Sequence, residues 1–102
     1  MPHVQTITLP PGAGTGWHYH PGRVDVVVLS GTLTRTLHDG RTVVSRAGES
    51  LVEEAGPRHV HQGRNLGTDP VVLIASYAAP QGRPLAVPVP EPAWSRSAPA
   101  DG

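Results

Sequence analysis

Four of the six histidines in this chain fall in two H-x-H pairs, His18 and His20 in "GWHYHPG" and His59 and His61 in "GPRHVHQG". On an extended strand, residues i and i+2 project from the same face, ~6.6 Å apart at ~3.3 Å per residue. Two imidazoles so placed can lean onto one ion through metal–nitrogen bonds near ~2.1 Å. A single such pair reads more simply as a polar strand end carrying exposed histidines. Two pairs, each beside a turn glycine, favour a shared divalent metal, provided that the fold sets the two strands face to face.

The elements available for that task are strands. Twelve glycines and twelve prolines interrupt runs rich in valine and threonine, and no stretch repeats apolar residues at helical spacing over ten or more positions. Strands are expected over residues 5–9, 17–20, 24–29, 32–38, 41–46, 50–53, 59–66 and 71–77. Asp39-Gly40 is the strongest hairpin signal. The run 24–29 is apolar on both faces apart from Asp25, so it should be central. About eight short strands at roughly 8–12-residue spacing describe an all-β, antiparallel, closed or two-sheet barrel over residues 1–79. Residues 80–94 hold a Pro-rich arm that is expected to lie along the barrel or a partner subunit, with Trp94 as anchor. Residues 95–102, "SRSAPADG", are expected to be disordered.

Composition excludes several function classes. The chain has 102 residues, no net charge, eight basic residues that are all arginine, and no cysteine. There is no basic stripe to bind nucleic acid or an anionic membrane. Disulfides, thiolate metal sites and cysteine nucleophiles are ruled out. No charged-then-apolar leader and no membrane-length apolar run is present, so a cytoplasmic protein is expected. A domain this small commonly gains from pairing with its own copy, so a homodimer binding a small molecule is the expected assembly. "GAGTG" at 12–16 lacks the sixth-position glycine, the following helix and the lysine of a phosphate loop. The serines lack a nucleophile-elbow context.

"GTGWHYHPGRVDVVVLSG" resembles the first motif of the cupin superfamily, G-x5-H-x-H-x3/4-E-x6-G, with Gly31 closing it. "GESLVEEAGPRHVHQGRN" is similar to the second, G-x5-P-x-G-x2-H-x3-N, with Gly48, Gly56 and Asn65. The resemblance spans roughly residues 5–80 and implies a double-stranded β-helix, a jelly-roll-like barrel. The chain departs from the pattern in three places. Val24 stands where the first-motif glutamate belongs. Asp25 is one residue later and so faces the other way, unless a bulge turns it to the metal. Glu54 replaces the second-motif proline. Counting from Gly56 selects His59, whereas counting back from Asn65 selects His61, which is preferred because the Gly-Pro turn absorbs extra residues more easily than a strand.

The resemblance therefore implies a divalent metal held by His18, His20 and His61, with His59 or Asp25 as a fourth ligand or supporting group and no glutamate. Fe, Zn, Ni, Mn and Cu are not distinguished by such donors. The implied function is a metal-dependent enzyme acting on a small organic molecule. An oxygenase-type reaction (a dioxygenase, hence an oxidoreductase) is placed ahead of an isomerase or lyase. The rival is a non-catalytic metal- or ligand-binding cupin. Arg35 shares the inward face of its strand with Leu33 and Leu37, so it either contacts an anionic substrate or sits in solvent at the rim. Trp17 and Tyr19 should pack behind His18. Glu53 reads as an exposed edge carboxylate, a weak candidate for acid–base work. His3 and His38 receive no role.

Overall fold

The computed structural model describes residues 3–96. Nine strands are present among them: β1 (His3–Leu9), β2 (His18–Tyr19), β3 (Val24–Ser30), β4 (Thr32–Thr36), β5 (Thr42–Arg46), β6 (Ser50–Glu53), β7 (Gln62–Arg64), β8 (Val71–Tyr77) and β9 (Val87–Pro88). A short 3-10 turn covers Pro57–His59, and a single helical turn, α1, covers Ala93–Arg96. All the pairing is antiparallel. One sheet has the order β1-β8-β3-β6, a second β5-β4-β7, and β2 pairs with β9.

Alternation along the strands builds the core. Val24, Val26 and Val28 of β3 point inward with Val71, Leu73, Ala75 and Tyr77 of β8, and Leu33 of β4 meets them from the facing sheet. The central place of β3 is as expected, but its outer face is not covered: Val27 and Leu29 are exposed. The valine-rich run thus belongs to an antiparallel sheet with one wet face rather than to a sheet buried on both sides. Gly31 permits the tight passage from β3 into β4. Its φ is +79°, and a Cβ there would lie 2.5 Å from the Pro70 carbonyl oxygen, so no other residue fits without moving the β8 entry.

The Pro-rich arm folds back on its own chain. Val87 and Pro88 pair with Tyr19 and His18, the Val89 amide donates to the Trp17 carbonyl, and the Trp94 ring meets buried Trp17 edge-on at 5.8 Å. Of the residues expected to be disordered, 95 and 96 complete α1, and 97–102 lie outside the described residues.

Candidate metal centre

β2 carries His18, and His20 follows it directly. The β2 backbone is held on two sides. The His18 and His61 amides exchange hydrogen bonds with each other's carbonyls at 3.0 and 2.9 Å, and the Gly56 amide donates to the His20 carbonyl. Directly opposed residues of an antiparallel pair share a face. This bridge therefore brings the His18 and His61 rings together, with centroids 4.4 Å apart, and the His20 ring lies 4.8 and 5.0 Å from them.

A fourth group completes the cluster. Glu53, at the end of β6, is nearly buried and faces the histidines. Its Oε1 lies 2.9 Å from His20 Nε2 and 3.2 Å from His61 Nε2. One donor atom from each of His18, His20, Glu53 and His61 falls within 4.8 Å of the others. The expectation of a carboxylate-free site is therefore corrected, and Glu53 is no exposed edge residue. The physical reason is register. β3 and β6 pair so that Val24 lies opposite Glu53, and β8 places Tyr77 on the other side of Val24. Tyr77, Val24 and Glu53 thus form one row on the inner face. The carboxylate missing at position 24 is supplied one strand over, at the same level. A signal for this lay in the alternation of "SLVE", which sets Glu53 on the face of Leu51, a residue packed against the core.

The other candidates lie elsewhere. Asp25 points outward and pairs with Arg23 at 3.0 Å, both well exposed. No bulge turns it inward, because β3 keeps regular register from Val24 to Val28. The His59 side chain is also outside the cluster, stacked edge-on against His38 at 5.4 Å. What His59 contributes is its carbonyl, which accepts a hydrogen bond from His61 Nδ1 at 2.8 Å. Arg35 is not a rim residue. It is buried on β4 beside Leu33, with Nη1 3.6 Å from Glu53 Oε2.

The hydrogen bonds decide which ring atoms are free. His18 Nδ1 donates to the Gly16 carbonyl, His20 Nδ1 to the Leu85 carbonyl and His61 Nδ1 to the His59 carbonyl, each at 2.8–2.9 Å. A carbonyl only accepts, so every Nδ1 carries its proton and every neutral ring turns an Nε2 lone pair inward. Buried His61 Nε2 has no hydrogen-bond partner, since its approach to Glu53 lacks the alignment. A carboxylate also only accepts, so the 2.9 Å bond from His20 Nε2 to Glu53 Oε1 holds a proton where a cation would otherwise sit. Without either, three lone pairs and a carboxylate aimed at one point repel one another. Two nitrogens facing each other across one ion are separated by ~4.2 Å, so the observed spread is close to what a single ion requires. The donor set fits a divalent metal.

The electrostatics agree. Burial by itself would lift the Glu53 carboxyl, but the hydrogen bond from His20 and the adjoining His61 outweigh it and hold Glu53 well below the usual carboxylate range. Burial would lower His61, yet the Glu53 carboxylate beside it raises it above the ordinary imidazole value. His18, farther from Glu53, is lowered by burial and by the two neighbouring imidazoles. Beneath the cluster lies a small apolar chamber of about 50 Å³, walled by Val26, Leu33, Leu73, Ala75 and Tyr77. A neighbouring hollow lined also by Trp17, Ala86 and Pro88 shares Ile7, His18, His20 and Tyr77 with it.

Residues 5–77 match the family described as the cupin domain. The chain belongs to this family. Solved structures resemble this cupin over most of its length. A protein with a double-stranded β-helix domain from Klebsiella pneumoniae is 26% identical, over 82% of this chain and 73% of that one, with a TM-score of 0.68. A predicted oxalate decarboxylase from Thermotoga maritima is 25% identical, over 72% and 63%, with a TM-score of 0.63. The oxalate decarboxylase of Bacillus subtilis, which has Mn(II) centres, is 24% identical over 84% of this chain but only 23% of its own, with a TM-score of 0.72. That last likeness is one of fold. No curated protein matches this cupin significantly. Among the described residues, no helix is long and apolar enough to cross a membrane.

Proposed function

We propose that this cupin is a metal-dependent enzyme in which His18, His20, Glu53 and His61 hold one divalent ion and a small organic molecule is bound beside it. The observation that carries this reading is the convergence of three Nε2 atoms, each with its Nδ1 tied to a carbonyl, on a buried carboxylate. Supporting hydrogen bonds of this kind orient metal ligands and tune them. A divalent ion and one carboxylate with three neutral imidazoles carry one net positive charge, less electrophilic than a centre of imidazoles alone. The N3O donor set suits Mn, Fe, Ni or Zn better than a metal that demands thiolate.

When bound, the ion would supply Lewis acidity toward an oxygen donor of the substrate and, if redox-active, an electron. The chain's own residues do the rest. Val26, Leu33, Leu73 and Ala75 exclude bulk water from the chamber, and Tyr77 lines both the chamber and the neighbouring hollow. We place an oxygenase-type reaction ahead of an isomerase or lyase. The similarity to the Thermotoga protein makes small carboxylates the first substrates to screen. Metal analysis of untagged protein tests the core of this reading: about one equivalent per chain is expected, and a chain that neither retains nor takes up a divalent ion overturns it. Oxygen consumption with iron loaded separates the oxygenase from lyase or isomerase activity with any metal.

The smallness of the chamber favours one second reading, a non-catalytic binder of metal and a small ligand. It requires ligand-dependent stabilisation with no turnover under any metal.

A further inference from the structure

Arg35 is a buried cation without a hydrogen bond. Among the described residues no side chain or carbonyl accepts from its guanidinium, and Nε is fully enclosed and unpartnered. Its nearest carboxylate oxygen, Glu53 Oε2, is 3.6 Å away, beyond hydrogen-bond length. Glu53 is committed to the histidines through Oε1. A guanidinium has five donors in a rigid fork, and with Nε sealed in, the two Nη groups are the ones left to bond an acceptor. Such a group is expected to meet an acceptor that the chain itself does not provide.

The place for that acceptor is a pocket of about 250 Å³ that shares Glu53 and His61 with the apolar chamber. Arg35 lines it together with Arg41, His38, His59 and Glu54. Arg41 is exposed and bonded to Asp39 at 2.8 Å, so it adds little unspent charge. Glu54, at the rim, disfavours a multiply charged ligand such as a polyphosphate. A single planar carboxylate matches the guanidinium fork, since Arg–carboxylate pairs form two parallel hydrogen bonds.

We propose that this pocket is a carboxylate-recognition subsite built on Arg35, and that the substrate is a small organic acid held there beside the metal centre. The subsite shares Glu53 and His61 with the candidate centre, so the assignment of substrate class rests on the reading above, whereas the anion site itself does not. Arg35 fixes the acid by its carboxylate, and the His38–His59 ring pair borders the space for the remainder of the molecule.

Acetate and its neutral analogue acetamide are the probes, titrated by NMR into nitrogen-15-labelled full-length protein, metal-free and zinc-loaded. The Arg35 Nε–H resonance should shift with acetate and stay still with acetamide. Acetate binding should weaken tenfold or more in Arg35→Gln and be partly retained in Arg35→Lys. An Arg35 Nε–H signal that ignores acetate in both forms of the wild-type protein overturns the subsite, whether or not either variant folds. Equal acetate affinity in a folded Arg35→Gln protein overturns it too. Acetate binding at Arg35 in a chain that takes up no metal supports the subsite and overturns the metal-centre reading instead.

Discussion

β3 and β6 lie side by side, and they divide the work in opposite ways. β3 belongs to the first motif, where a glutamate would be expected, yet its inward row is Val24, Val26 and Val28, all core. β6 belongs to the second motif and ends in Glu53, the one carboxylate among the described residues that faces the histidines. Because Val24 and Glu53 are opposed across the ladder, the charge sits at the same level of the barrel in either arrangement. What a metal requires is a donor at a place in space, and a sheet offers that place from two strands.

The largest expected effect tests this equivalence. Glu53→Val should weaken metal binding by more than about a hundredfold, the upper range for losing only a supporting group. Val24→Glu added to Glu53→Val should recover part of that loss, measured by competition with a chelator. Cβ atoms of opposed residues are only ~5 Å apart, so the new carboxylate reaches the same histidines. A double variant no better than Glu53→Val would show that the two strands are not interchangeable.

Next in size is the contrast between His61 and His59. His61→Ala should strip the metal, whereas His59→Ala should keep about one equivalent, because His59 supports His61 through a backbone carbonyl that alanine retains. Loss of metal in both would restore His59 as a ligand.

A smaller effect concerns pH. In metal-free protein His61 should titrate above the ordinary imidazole value and His18 below it, followed by NMR of the ring protons. The His61–Glu53 interaction therefore stabilises the fold fully below the unfolded imidazole value of about 6.5 and fades as pH rises through the raised folded value. For Glu53 the sign is opposite: its contribution is present above the ordinary carboxylate value and is lost as pH falls through the depressed one. His18, lowered, favours the fold at higher pH and opposes it as acid protonates the unfolded chain. Metal uptake needs His61 deprotonated, so affinity should rise with pH through the His61 midpoint. Glu53→Gln should bring that midpoint down in the metal-free protein.

The smallest effect belongs to the outer face of β3. Asp25→Asn removes a surface pair with Arg23 that is expected to contribute at most ~1 kcal/mol. Metal content should not change, which a bulge carrying Asp25 inward would contradict.

Much of this architecture is legible along the chain. The strands at Ser50–Glu53 and Val71–Tyr77 fall where alternation places them, and the turns fall at Gly31, Gly40 and Gly48, all with positive φ. Which face of β3 is buried was not legible, since Val27 and Leu29 look no different in sequence from Val26 and Val28. The pairing of β9 with β2 was not legible, because a two-residue stretch that ends in a proline carries no strand signal and gains one only from a partner far away in the chain. The same holds for the Leu85 carbonyl that orients His20.

Local chemistry alone determined that the protein is a β-barrel and that it carries two pairs of imidazoles at strand spacing. Periodicity and turn residues act over a few positions and are visible in the order of residues. Tertiary structure decided that His61 rather than His59 joins His18, that Glu53 completes the group and that Arg35 is buried beside it. Those outcomes depend on cross-strand register between segments tens of residues apart, and a shift of one residue would have turned each side chain to the other face.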